Sequence, residues 1–154
     1  MAQIGIESNS KGILMVPVLT PVARLDVAIE RPLIVGSTES GLREVIPISG
    51  GSVSGPLLNG KVLAGGADWC LTRPGGVAEV WARYTIATDE GQIVSILNSG
   101  IAHTQADGSY TGRTVPRFEV ASGPLDWLRN SIFIGTLLAL PAGDRVQLEF
   151  FRVD

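Results

Sequence analysis

The segment Gly65-Gly66-Ala67-Asp68-Trp69 sets a carboxylate and an indole directly behind a glycine pair, where the backbone can turn sharply and present both side chains at a strand end. Asp68 there is a candidate general base or ligand acceptor, although a turn-capping aspartate bonded to nearby amides accounts for the same residue type. His103 is the one side chain whose ordinary pKa lies near neutrality, which makes it the natural proton shuttle of an acid-base enzyme. Ile101 and Thr104 flank it, and a hydrogen-bonded structural histidine fits that setting too. In residues 77–87, Glu79, Trp81 and Arg83 alternate with Ala78, Val80, Ala82, Tyr84 and Ile86. The polar set points either to solvent, as an exposed Glu and Arg pair, or into a cavity, and a tryptophan between two charges favours the cavity. Arg113 and Arg117, four apart in a strand, share a face and could clamp a carboxylate or enolate; salt bridges between strands would use them equally well.

Together these residues describe a cofactor-free acid-base site. Asp68 or His103 would move a proton and Arg83 would stabilise an enolate or phenolate. Trp69, Glu79, Trp81, Tyr84, Arg113 and Arg117 would contact the substrate. No nucleophile elbow, phosphate-cradling glycine loop, dinucleotide fingerprint or Cys-x-x-Cys is present, so no cofactor is expected. One cysteine and one histidine are too few for a zinc site, and no acidic spacing resembles a calcium loop, so no metal is expected either.

The elements that must position these residues are strands. Nineteen glycines and nine prolines punctuate stretches rich in Val, Ile, Thr and aromatics. Strands are expected at residues 23–29, 43–48, 52–54, 61–64, 67–72, 77–87, 92–98, 110–114, 132–140 and 145–153. Turns are expected at Arg73-Pro74-Gly75-Gly76, Thr88-Asp89-Glu90-Gly91, Asp107-Gly108 and Pro141-Ala142-Gly143-Asp144. The one helical candidate is 124–130, with Leu125 and Leu128 three apart. With so little helix to cover a sheet, burial requires sheet on sheet or closure, and closure also removes exposed edges. The expected fold is therefore all-β: a single antiparallel, mostly up-and-down barrel of about 8–10 strands with one short helix. Residues 13–154 form the domain, and residues 1–12, which show neither period, a flexible tail.

At 154 residues, 45% hydrophobic and 18% charged, the chain suits one folded domain. A net charge of -3 with dispersed Lys and Arg argues against nucleic acid as a partner. No apolar run is long enough for a membrane helix and no charged leader precedes the domain, so membrane and export are not expected. A lone cysteine excludes an internal disulfide and fits a cytoplasmic location.

The motifs Ile46-Pro47-Ile48-Ser49-Gly50-Gly51, Gly60-Lys61-Val62-Leu63-Ala64-Gly65-Gly66-Ala67-Asp68-Trp69 and Ala82-Arg83-Tyr84-Thr85 occur in order, followed by Asp89-Glu90-Gly91, Pro116-Arg117-Phe118-Glu119 and Trp127-Leu128. In these the chain, over roughly residues 22–153, resembles the domain of unknown function 3237 family. The resemblance implies a compact antiparallel barrel that associates with itself as a homo-oligomer, with no settled biochemical role. Trp81 stands where the family pattern often has an acid, and Ser95 where it often has an aromatic, which implies a remodelled cavity if that face is the interior.

Three functions remain open at this level. The first is an isomerase, cyclase or lyase acting on a partly aromatic or polyketide-like small molecule inside the barrel. The second is a barrel that binds such a ligand without changing it. The third is an assembly module whose lumen is filled.

Overall fold

The computed structural model describes residues 15–154, and the expected tail at 1–12 lies outside the described residues. Ten strands follow one another: β1 (Leu19–Ile29), β2 (Leu33–Thr38), β3 (Gly41–Ser54), β4 (Gly60–Val62), β5 (Gly66–Thr72), β6 (Ala78–Thr88), β7 (Ile93–Thr104), β8 (Tyr110–Glu119), β9 (Ile132–Ala139) and β10 (Arg145–Val153). One turn of helix, α1 (Asp126–Arg129), precedes β9.

Strands β5 to β10 run as an antiparallel meander, β10 pairs with β1, and β1 pairs with β3, which pairs with β5. The sheet therefore closes into a barrel of eight staves. Strands β2 and β4 lie outside that circuit: β4 bridges β3 and β6 where β5 has ended, and β2 extends the barrel wall along β3 beyond the end of β1. The long β3 serves all four neighbours because it bends at Gly50 and Gly51, whose φ values of 153° and 147° suit glycine alone. At Gly51 a Cβ would also stand 2.3 Å from the Asp26 carbonyl oxygen, so the crossing of β1 over β3 needs hydrogen there.

The expected strands are present, but β1, β7 and β8 extend beyond the expected 23–29, 92–98 and 110–114, and two of the expectations change in kind. Residues 43–48 and 52–54 belong to one bent strand, and β2 joins the set although no strand was expected there. The four expected turns connect the strands as read, for example with the Gly91 amide donating to the Thr88 carbonyl at 2.9 Å. The helix is shorter than 124–130.

Each strand's alternation sorts residues inward or outward. One end of the interior is filled: Phe118 meets Phe133 and Phe150 edge to face at centroid distances of 4.9 and 5.9 Å, and Trp127 lies 6.0 Å from Phe133. A single helical turn has no stability of its own. Helix α1 is held because Leu128 inserts into this cluster and the Asp126 carboxylate accepts from the Gly123 amide at 2.9 Å. Leu128→Ala is expected to destabilise the fold by about 2–5 kcal/mol, whereas Ile132→Ala on the exposed surface should change it by no more than about 0.5 kcal/mol; urea unfolding of the two variants checks the contrast.

Candidate functional site

The other end of the barrel is open, and the interior there is a cavity of about 330 Å³, within the range that holds one small molecule. Its walls are largely apolar, with Val27, Ile46, Ile48, Val80, Leu137 and Leu148 among them. The space exists because β6, β7 and β9 present Ala78, Ala82, Ala102 and Ala139 inward where the closed end has phenylalanines. Pro32, Glu44, Tyr110, Leu140 and Pro141 stand at the mouth.

Polar groups gather around the methyl of Ala82. In register, Asp68 on β5 and Asn98 on β7 both sit opposite Ala82, and Tyr84 is the next inward residue along β6. Two strand spacings put the backbones of Asp68 and Asn98 about 10 Å apart, with only a methyl between them. Gly66 opposes this region too, where a Cβ would fall 2.6 Å from the Tyr84 Cβ, so glycine is what lets Tyr84 lie against β5. Asn98 is 1% exposed and its Oδ1 has no partner; the Tyr84 hydroxyl is likewise buried and unpartnered. Buried polar atoms in folded proteins are nearly always bonded, so both are poised for something that enters the cavity. A third such atom, Thr114 Oγ1, is wedged against Gly135 away from the residues lining the cavity.

Burial raises the Asp68 pKa from 3.8 to about 6, against the lowering effects of the Trp81 amide, which donates to Oδ1 at 2.9 Å, and of Arg43; Glu44 adds to the rise. Burial alone holds the Tyr84 hydroxyl well above its usual range, so it remains a donor at all physiological pH. Burial, reinforced by Asp68, pushes the Cys70 thiol up to about 12, which leaves it unreactive as a nucleophile. The arrangement offers one carboxyl that titrates near neutrality, a permanent hydroxyl donor and an amide. Among the described residues no three His, Cys, Asp or Glu side chains come together as a metal site.

The family described as "Protein of unknown function (DUF3237)" matches residues 17–153. The chain belongs to this family. It is similar to the UPF0311 protein CA_C3321 of Clostridium acetobutylicum, 34% identical over 146 residues, which span 86% of this chain and 91% of the relative. Among solved structures it is similar to a protein of unknown function from Clostridium acetobutylicum, with a TM-score of 0.83 at 34% identity over 90% of this chain and 99% of that one. It also shares its fold with a structure described as an enzyme from Penicillium herquei, with a TM-score of 0.70 at 21% identity over 90% of this chain and 95% of that one.

Of the residues singled out in the sequence, the barrel brings Asp68 and Tyr84 into the cavity. The others do not share it. Trp69, Glu79, Trp81, Arg83, Arg113 and Arg117 project from the outer face of β5, β6 and β8, and His103 is exposed on the outer face of β7. The reason is geometric: in a small barrel the apolar face of a strand and the cavity face are the same face, so the polar partners of Ala82 and Tyr84 must point out. Glu44, Thr72, Asn98 and Tyr110 are polar cavity residues the sequence reading passed over. The signal for Asn98 was present, since it is the one polar residue in the inward series Val94, Ile96, Asn98 of β7.

The Asp68 pKa carries a stability signature. Its folded value lies above the ordinary one, so its contribution is fully present below pH 3.8 and is lost as pH rises through about 6. Asp68→Asn keeps the acceptor for Trp81 without the charge. It is expected to match the parent near pH 4 and to be more stable near pH 8 by up to about 3 kcal/mol, as read by urea denaturation across that range.

Proposed function

We propose that the cavity is a cofactor-independent reaction chamber for a small, largely apolar molecule of aromatic or polyketide-like character, in which Asp68 moves a proton during an isomerisation, cyclisation or elimination. The observation that carries this reading is the juxtaposition of a carboxyl titrating near pH 6 with two buried polar atoms that have no partner inside the protein. As the carboxylate, Asp68 would take a proton from an acidic C–H or O–H of the ligand. As the resulting acid, it would return that proton to another ligand atom, so that nothing is consumed. The negative charge formed in between would be met by the Tyr84 hydroxyl, the role that Arg83 and Arg117 cannot fill from the outer face, while Asn98 Oδ1 would accept from a hydroxyl or N–H of the ligand and fix its orientation. The Penicillium herquei protein is described as an enzyme. At that identity it lends the scaffold a precedent and assigns no residue.

The test is a metabolite panel screened by thermal shift, with NMR of each hit for turnover. Ligands that raise the melting temperature should lose that effect when Ala82→Phe fills the cavity. For a converted ligand, kcat/KM should rise with pH to a plateau above about 6, the value of Asp68. Asp68→Asn should lower kcat by about 10²–10⁴ while the ligand still binds, and Tyr84→Phe should lower kcat more than it raises KM. Binding without conversion would leave the barrel as a carrier or sensor. If no stabilising ligand depends on the cavity, the reading fails.

A further inference from the structure

The outer wall carries a second feature that the cavity does not explain. Leu33 on β2 is paired with Val45 on β3, Val45 with Trp69 on β5, Trp81 on β6 with Ser99 on β7, and Ser99 with Val115 on β8. The two tryptophans close the row, edge to face with centroids 5.7 Å apart. One apolar row thus crosses six strands, and it is open: Leu33 is 63% exposed, Trp69 40%, Trp81 42% and Val115 50%. Ser99 leaves a low point between Trp81 and Val115.

Arginines border this row. Arg43, Arg73, Arg83, Arg113 and Arg117 lie on the same wall against two acids, Glu79 and Glu119, in a chain whose net charge is -3. Elsewhere the arginines of the wall are neutralised: Arg24 pairs with Glu149, Arg145 with Asp26 at 3.4 Å and Arg152 with Asp154 at 2.7 Å. On this wall Arg73 is paired with Glu79, and Arg43 donates to the Trp69 carbonyl at 2.7 Å. Among the described residues Arg83, Arg113 and Arg117 meet no carboxylate. Arg83 and Arg117 flank Leu97 in one register line, and Val115 sits between Arg113 and Arg117 along β8.

We propose that this wall is a docking site for an acidic segment of another protein, one that places carboxylates on Arg83, Arg113 and Arg117 and an apolar side chain in the low point at Ser99 beside Trp81. Exposed tryptophan and arginine around a small hollow are the residues that dominate binding energy at protein interfaces. The charge selects the occupant. A second copy docked through the same wall would set one arginine-rich face on another. Leu33, Val45 and Val115 call for an apolar counterpart rather than a phosphate backbone.

The experiment is selection from a displayed library of random peptides against the whole protein, followed by titration of the selected peptides against variants. Peptides rich in Asp or Glu with an interspersed Trp, Leu or Phe are expected. Their affinity should fall by about tenfold or more in Arg83→Glu/Arg117→Glu and in Trp81→Ala, weaken with salt, and be unaffected by the cavity-filling Ala82→Phe. Circular dichroism melts of each variant establish that the barrel is intact. Peptides without acidic enrichment, or binding indifferent to the arginine and tryptophan changes, would overturn the proposal. So would tighter binding of a single-stranded oligonucleotide to this wall, or a dimer in light scattering that Trp81→Glu dissociates, since each assigns the wall to another occupant.

Discussion

The pairing of β1 with β3 is the constraint from which the rest of this molecule follows. Until it forms, ten strands make an open sheet with two faces of equal standing; once it forms, one face is enclosed and the other is not. Because side chains alternate with a period of two, closure commits every residue of every stave to lumen or surface, and a slip of one residue would exchange them all. The bend at Gly50 and Gly51 is where this commitment is made. It lets the second half of β3 leave β5 and lie beside β1, and at Gly51 the approach of Asp26 leaves no room for any side chain.

Within the enclosed face, side-chain size divides the interior. Eight staves leave a lumen just wide enough for side chains to fill. Phe118, Phe133 and Phe150 fill it at one end, with Leu128 supplied by α1 as a stopper. At the other end alanines stand at the corresponding inward positions and the space remains. The fold's stability and its cavity are thus made by the same rule applied with different residues, and the aromatic end supplies the rigidity against which the open end can hold a fixed shape.

This also explains what the sequence made legible. The strands, their turns and the closure were readable because alternation and turn chemistry are local. β2 was not, since Leu33-Ile34-Val35 has no polar alternation: it stands clear of the barrel with both faces exposed. Asp68 was readable from the glycine pair before it, and Tyr84 from its place among core residues. The roles given to Glu79, Arg83, Arg117 and His103 rested on polar residues facing the cavity, which holds for wide channels. In a narrow barrel the informative signal is the reverse: an isolated polar residue in an otherwise apolar inward series, as Asn98 is in β7.

Asp68 shows how the two faces remain connected. Register continues from the pair Asp68 and Ala82 to the pair Leu71 and Glu79, yet the ladder is not formed at the two positions between them, where Trp69 and Trp81 face each other across the strands. The Trp81 amide therefore turns to the Asp68 carboxylate, and the Trp69 carbonyl accepts from Arg43. Without the Trp81 amide the carboxyl would lose the largest of the influences that hold its pKa down. With a fully formed ladder that amide would be occupied by backbone, and the carboxyl would rise further toward a permanently protonated, inert acid. Splaying the two strands at the tryptophan pair thus does two things at once: it leaves both indoles standing on the outer wall, and it keeps the lumen carboxyl within reach of ionisation near neutral pH.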